Sequence, residues 1–489
     1  MPVSLMAKSL VHNVVAKGVL NLFNTLLPLI VTPYIYRILG PQNMGDIEYA
    51  LTFFSYFGML GMLGIYQYGL REISANRMNP ARVQDVYKNL FSIGLISNTA
   101  CLGLYLLFIT LAIENPAIKT VSYILCGNLI SQIFYVEWVN EAFEEFRFIT
   151  LKTIIIRTLS IIFIFTLIKS PDDALIYVMI TVGVAIVNYL ASYFYATKTI
   201  RLSFKETFSG LNFKSYIVPL LMILVLNNTG ILYTIADRTF LGYATGTENV
   251  AFFTIGQKIV ELTKTLLLSI VFATLPRLSL YLKEDKQLYQ AGILKIMRLV
   301  LALIIPTGIG LFLLSEQIIW LFGGNEYYAA IPAMRVFALR IILLGVDSIL
   351  YSQIIFLHNK EKRLVLYNLT CGLLNVLLNW AFLSFLTPCI SILCTLASEI
   401  IFTTLCLLYI RKHLKVKVGI FQFSTLKYFL VSLLFVPIVF TFRSVGLSNM
   451  YTLVVSCSVC ILTYFLVLAI QKDIVYLELK SYAFRIFNR

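Results

Sequence analysis

Eight ionisable side chains stand inside long apolar stretches, where a charge is costly and its presence calls for a partner or a cavity. Lys258, Glu261 and Lys264 share one stretch, and at about 100° per residue they fall within roughly 120° of one another on a helix. Lys258 lies ten residues from the loop charge Glu248 and nineteen from Arg277. At 1.5 Å per residue that is roughly 15 Å from one helix end, too deep for easy snorkelling. The three either neutralise one another or line a wet cavity. Arg340 and Asp347 are seven residues apart and share a helix face. They form either a buried pair that fixes packing, or a cavity lining in which Arg340 attracts an anion and Asp347 changes its protonation. Glu399 follows an uncharged run from Leu364 to Ser398 and is still twelve residues short of Arg411. It is read as a protonated, hydrogen-bonded group or as a proton carrier. Lys17 belongs to a polar stripe with Asn13, Asn21 and Asn24, close enough to a helix end to snorkel. Arg157 has the same ambiguity.

The sign of these groups indicates a ligand class. Guanidinium and ammonium donors at depth suit the oxygens of phosphate or carboxylate. A pump for organic cations needs a carboxylate among aromatic rings, whereas no acid stands between His12 and Tyr36. A second stripe, Asn368, Gly372, Asn375 and Asn379, is explained by interhelical hydrogen bonds worth about 0.6 to 2 kcal/mol each.

The elements that position these groups follow from composition. Of 489 residues, 59% are hydrophobic and 13% charged, with a mean hydropathy of +0.85. Soluble domains carry about 25% charged residues, so a soluble fold is excluded. The apolar runs are continuous and do not alternate, so an all-α polytopic membrane protein is expected and not a barrel. Spans of about 20 residues are predicted near 14–36, 47–70, 90–113, 118–138, 149–168, 174–197, 215–236, 250–275, 293–314, 328–357, 364–386, 389–410, 425–442 and 450–470. The formal charge of +15 divides by side: of 39 basic residues, 28 fall in the loops and tails of one face, five on the other and six inside spans. By the positive-inside rule both termini are cytoplasmic. The basic excess is then a topology signal with a minor role toward anionic membrane lipid, and nucleic acid is not needed to explain it. No cleavable signal peptide is expected, since the first apolar segment is too long and no small-residue cleavage site follows it.

Arg37-Ile38-Leu39-Gly40 and Arg238-Thr239-Phe240-Leu241-Gly242 repeat a basic residue before a Leu-Gly turn, with Leu39 and Leu241 202 residues apart. Six spans separate the copies, which predicts parallel repeats: a six-helix lobe over 1–200, a second over 201–412, and two further helices with a tail over 413–489. A substrate path would run between the lobes. All eight cysteines fall in apolar runs; Cys457-x-x-Cys460 lies in the last span and is read as small packing residues. No metal site, cofactor motif or ATP-binding P-loop is visible, so energy input is expected from an ion gradient. The longest outer loop, Ser315 to Tyr327, is short for acid-base chemistry, and His12, His358 and His413 sit at cytoplasmic edges. An enzyme, such as a membrane glycan polymerase or ligase, is therefore not expected.

Thr32-Pro33-Tyr34-Ile35-Tyr36-Arg37-Ile38-Leu39-Gly40-Pro41, followed by Gly45, resembles the signature of the Wzx-type O-antigen and polysaccharide flippases, a branch of the multidrug/oligosaccharidyl-lipid/polysaccharide exporter superfamily. Similar collinear stretches are Gly69-Leu70-Arg71-Glu72-Ile73, Glu137-Trp138 with Phe143-Glu144-Glu145-Phe146, Tyr233 through Asp237 to Leu241-Gly242-Tyr243, Gln257-Lys258-Ile259, Leu275-Pro276-Arg277-Leu278 and Leu321-Phe322-Gly323. Arg238 stands where many relatives have Lys, and Asn249-Val250-Ala251 replaces a Gly-containing segment. The resemblance implies fourteen helices in two lobes, a central basic cavity, and export of an undecaprenyl-diphosphate-linked oligosaccharide across a bacterial inner membrane. Lys258, Lys264, Arg340 and Lys17 are then expected to hold diphosphate and acidic sugars, with Asp347, Glu261 and Glu399 coupling to H+ or Na+. A polysaccharide polymerase and chain-length machinery are the implied partners. The rival within the superfamily is an ion-coupled multidrug exporter.

Overall fold

The computed structural model describes residues 3–478 apart from 203, 229, 231, 232, 234, 421 and 422, and the side chains of 3–17, 19, 22, 204, 205, 227, 270, 273, 423 and 424 also lie outside the description. The described residues contain no strand. Eleven helices are long and apolar enough to cross a membrane, and a twelfth crossing is made by Thr247–Ser269 with Thr274–Glu284, bent by 50°. The chain is a multi-pass membrane protein.

The longest helix, Val3–Met62, has 60 residues. Straight, it would reach roughly 90 Å, three times the hydrocarbon thickness. It breaks at Gly40, where φ 71° and ψ 172° suit a residue without Cβ, and the ring of Pro41 removes the next backbone donor. The Leu39-Gly40-Pro41 motif is thus the corner between two crossings. With those arms taken separately and the shorter apolar helix Lys214–Leu226 included, the architecture is compatible with the fourteen predicted spans. Several helices begin with proline behind a side-chain cap. Asn79 accepts from the Arg82 amide ahead of Pro80–Ala112, Asn115 from the Ala117 and Ile118 amides ahead of Pro116–Gln132, and Thr387 from the Ile390 amide ahead of Pro388–Tyr409. Proline at the first turn costs no hydrogen bond, and the cap satisfies an orphan donor.

The chain divides into two compact units, Met1–Gly242 and Tyr243–Arg489. In the first, Trp138 is buried with Ile73, Val86, Tyr87 and Leu90. Its indole lies on Gly69, where a Cβ would come within 2.4 Å of the ring. Two of the stretches that resemble the flippase family, Gly69 through Ile73 and Glu137-Trp138, therefore meet as a glycine and the ring it admits. Gly69→Ala is expected to destabilise the protein by about 1 to 3 kcal/mol through overpacking. Heating of the detergent-solubilised protein, followed by the monodisperse fraction, should show the loss, and Trp138→Phe should relieve part of it.

In the second unit, the final helices Phe423–Ser432, Phe435–Ser444 and Asn449–Ile470 are tied in by polar contacts. The Tyr464 hydroxyl donates to the Ala302 carbonyl at 2.6 Å, and the Lys427 ammonium meets Asp473 at 2.6 Å. The stretch Ser315 to Tyr327, expected as a loop, is instead the helix Ser315–Gly323 followed by a tight turn over Asn325–Ala330. Ile318, Ile319 and Phe322 are buried on its inner face, and that apolar periodicity is what converts loop into helix.

Candidate functional site

Three of the deep charges of the second unit, Arg340, Asp347 and Glu399, lie together. Arg340, on Ile331–Ser348, meets Glu399, on Pro388–Tyr409, through two parallel bonds: Nε donates to Oε2 at 2.7 Å and Nη2 to Oε1 at 2.6 Å. Both residues are under 10% exposed. The fork-on-carboxylate geometry is the strong, planar form of such a pair. Asp347, two turns from Arg340, turns to a different partner: the Thr403 hydroxyl lies 2.7 Å from its Oδ1. The same hydroxyl lies 2.9 Å from the Glu399 carbonyl. A hydroxyl has one proton to give, so it serves one acceptor at a time. If Asp347 carries a proton, it donates to Thr403, which donates to the carbonyl, and every group is satisfied. The site accommodates both protonation states of Asp347 with the same atoms.

The helix around this cluster is irregular. Over Ile349–Ile355 it widens into a π-turn, a feature that often marks functional positions. Gln353 in that turn is fully buried; its amide donates to the Val271 carbonyl, and the Tyr289 hydroxyl donates to its own carbonyl, both at 2.8 Å. On Thr247–Glu284, Lys264 pairs with Glu261 at 2.7 Å, and Lys258 is half-buried. The asparagine stripe supplies a polar seam between spans: Ser391 donates to Asn379 Oδ1 at 2.8 Å, and Thr395 to Asn375 Oδ1 at 3.4 Å. An apolar hollow of about 250 Å³ is walled by Pro306, Leu311, Phe435, Ile461 and Phe465, with Cys457 and Cys460 as unpaired thiols on its surface. Among the described residues no three His, Cys, Asp or Glu side chains come together as a metal site.

In the first unit, Tyr36 and Arg238 converge on buried Glu48, at 3.4 Å each. Arg238 of the second Leu-Gly copy and Tyr36, the residue just before the first copy, thus share a carboxylate, and Gly242 faces the Tyr49 ring. The Lys17 side chain lies outside the described residues. Its stripe neighbours Asn21 and Asn24 line a cleft of about 480 Å³ together with Tyr66, Glu137 and Glu141. The acids of that cleft are engaged: Glu137 accepts from Lys152 and Ser192, and Glu141 from the Tyr66 hydroxyl at 3.0 Å.

Residues 10–282 match the family described as polysaccharide biosynthesis protein. The chain belongs to that family. Two proteins named "Putative O-antigen transporter" are relatives of this polysaccharide biosynthesis family member along most of their length. One, from Escherichia coli (strain K12), is 23% identical over 413 residues, 83% of this chain and 97% of that protein. The other, from Shigella dysenteriae, is 25% identical over 373 residues, 71% and 88%. In fold, the family member is similar to the lipid II flippase MurJ in its inward closed conformation, with a TM-score of 0.68 and 15% identity over 96% of this chain and 99% of that one. It is also similar to an inward-facing multidrug resistance MATE family transporter of the MOP superfamily, with a TM-score of 0.61 and 14% identity over 82% and 98%.

Sequence reasoning about this family member missed the Glu137, Lys152, Ser192 network. Lys152 counts among the loop charges in the sequence because it lies only three residues past the predicted span boundary at 149, yet it is buried and ion-paired. The available signal was Glu137 itself, an acid beside Trp138 at the edge of an apolar run.

Proposed function

We propose that this protein is a flippase that moves an undecaprenyl-diphosphate-linked oligosaccharide, an O-antigen or other surface polysaccharide repeat unit, from the cytoplasmic to the outer leaflet of the bacterial plasma membrane by alternating access. The observation that supports it most is similarity over 83% of the chain to a protein named as an O-antigen transporter, in a chain that keeps Arg340 and Glu399 buried, and Asp347 beside them, within membrane-length helices. A diphosphate cannot cross hydrocarbon unaided, because each unpaired charge costs at least about 2.5 to 3.5 kcal/mol at the centre. Lys258, Lys264, Arg340 and Lys17 are proposed to offset that cost by contacting diphosphate and acidic sugars. Asp347, Glu261 and Glu399 are proposed to couple the cycle to H+ or Na+. Arg340 would be released to substrate when Glu399 takes up a proton. The reading includes cytoplasmic termini, no covalent change in the glycan, and onward delivery to a polymerase and its chain-length machinery.

Deletion followed by lipid analysis tests it. Prenyl-diphosphate-linked repeat units should accumulate facing the cytoplasm, be cleared by the wild-type gene, and persist with Lys258→Ala at equal protein level. Unchanged surface glycan, with dye efflux lost on deletion, would instead assign a multidrug exporter.

A further inference from the structure

The apolar hollow of the second unit, about 250 Å³, runs along Lys286–Leu313 from Ala302 to Leu314 and is walled on its other sides by Phe435, Ile461, Tyr464 and Phe465. That length of helix spans about 18 Å, a little more than half of the roughly 30 Å of a hydrocarbon core. The hollow is thus about one leaflet deep, and Ile461 on its rim is 56% exposed. One end of it carries excess positive charge. Arg298 stands one turn before Ala302 on the same helix face. Its Nε is buried without an acceptor. Its charge reaches the buried Tyr428 hydroxyl, which is coupled in turn to Tyr464 in the wall of the hollow. The acids at this corner are already matched. Asp473 holds Lys427 at 2.6 Å and accepts from the Tyr428 hydroxyl and the Val475 amide, and Glu478 pairs with Lys295 at 2.7 Å. Each carboxylate has an ammonium of its own, so Arg298 and the exposed Lys472 are left over. A guanidinium keeps its proton, and half-buried beside an apolar wall it calls for an anion. At the opposite end of the hollow, Arg443 is engaged by the Leu313 carbonyl at 2.6 Å and by Gln317 at 2.9 Å. A cation is therefore on offer at one end only.

We propose that the hollow holds one acyl chain of an anionic phospholipid from the leaflet at the Arg298 end, with Arg298 bonding the lipid phosphate and Lys472 adding positive charge outside it. A guanidinium fork suits phosphate oxygens. A zwitterionic headgroup brings its own ammonium and leaves the excess charge in place, whereas a headgroup of net negative charge offsets it. The one-sided charge separates this lipid from a transported prenyl chain: cargo that changes leaflet gains nothing from an anchor fixed to one of them, and a resident lipid does. The acyl chain fills the space between Lys286–Leu313 and the final helices, so the attachment of Phe435–Ser444 and Asn449–Ile470 depends on it. The proposal goes beyond the flippase reading and stands or falls without it.

Protein stripped of lipid in detergent tests it, titrated with phosphatidylglycerol, with phosphatidylcholine of the same chains, or with undecaprenyl phosphate. Bound lipid is counted by native mass spectrometry and the melting temperature is followed. Phosphatidylglycerol should stay bound and raise the melting temperature, and phosphatidylcholine should do neither. Arg298→Gln should weaken phosphatidylglycerol roughly tenfold to a hundredfold. Gly310→Leu keeps the test decisive should Arg298→Gln fail to fold. A Cβ at Gly310, on the wall of the hollow, meets nothing within 4 Å, so the leucine enters the hollow without a clash and should exclude the acyl chain. Its melting temperature should no longer respond to phosphatidylglycerol. Equal retention of phosphatidylglycerol by wild type and Gly310→Leu overturns the proposal, and so does equal binding of phosphatidylcholine. Displacement of phosphatidylglycerol by an equal concentration of undecaprenyl phosphate also overturns it, and assigns the hollow to the chain of the cargo.

Discussion

Glu399→Leu is expected to lower stability by about 3 to 5 kcal/mol. The bidentate pair with Arg340 is almost fully buried. Removing one partner leaves the other charge without compensation. The two sides of the pair are not equivalent. Arg340 stays charged under all conditions, so Glu399→Leu strands a guanidinium. Arg340→Leu strands only a carboxyl, which can take up a proton and become neutral, so its cost should be clearly smaller. The double substitution Arg340→Met with Glu399→Met replaces the pair by apolar side chains and should restore stability to near wild type. It should not restore glycan export, because the releasable cation is gone. Melting of the solubilised variants, measured as the fraction that stays monodisperse, checks the order Glu399→Leu, then Arg340→Leu, then the double variant. A Glu399→Leu protein as heat-resistant as wild type would show that Arg340 finds another acceptor, and the pair would lose its proposed place in the cycle.

Asp347→Asn should behave in the opposite way, with a small change in stability and a large loss of transport. The asparagine carbonyl can still accept from the Thr403 hydroxyl that now lies 2.7 Å from Oδ1, so the fold should change by no more than about 1 kcal/mol. What disappears is the ability to gain and lose a proton. If that event drives the cycle, export by Asp347→Asn should fall at least roughly tenfold, the factor given by about 1.4 kcal/mol on the limiting step. Lipid-linked units should then accumulate as they do on deletion. Thr403→Val offers a control, since it removes the hydroxyl that relays between Asp347 and the Glu399 carbonyl while leaving the carboxyl titratable. Normal glycan at wild-type rate in Asp347→Asn cells would remove this residue from coupling.

Much of the architecture was legible before any coordinates. Continuous apolar runs and short polar breaks located the spans, because a bilayer imposes helix length and forbids unpaired backbone in hydrocarbon. Gly40-Pro41 marked a corner for an equally local reason: one residue tolerates positive φ and the next lacks a donor. The stretch from Ser315 to Tyr327 was misread as a loop because its apolar face is only a few residues wide and its termini carry Ser, Glu and Asn. The asparagine stripe at 375 and 379 was correctly assigned to interhelical bonding, since a run of amides on one helix face has few other uses in lipid.

The sequence by itself determined the class of the protein, the number of crossings with which the structure is compatible, and which side chains are charged at depth. These follow from composition and short-range periodicity, both written along the chain. Only tertiary packing decided who partners whom. Arg340 shares a helix face with Asp347 yet bonds Glu399, 59 residues away, because the facing helix presents the carboxylate at the height of the guanidinium, whereas Asp347 meets Thr403 one turn further along. Likewise Lys152 reads as a loop charge and is buried in an ion pair, while Arg157, five residues on, reads as a charge within the span and lines a polar cleft. Partner choice depends on helix rotation and vertical offset, and a shift of one residue, about 1.5 Å and 100°, is enough to exchange one partner for another.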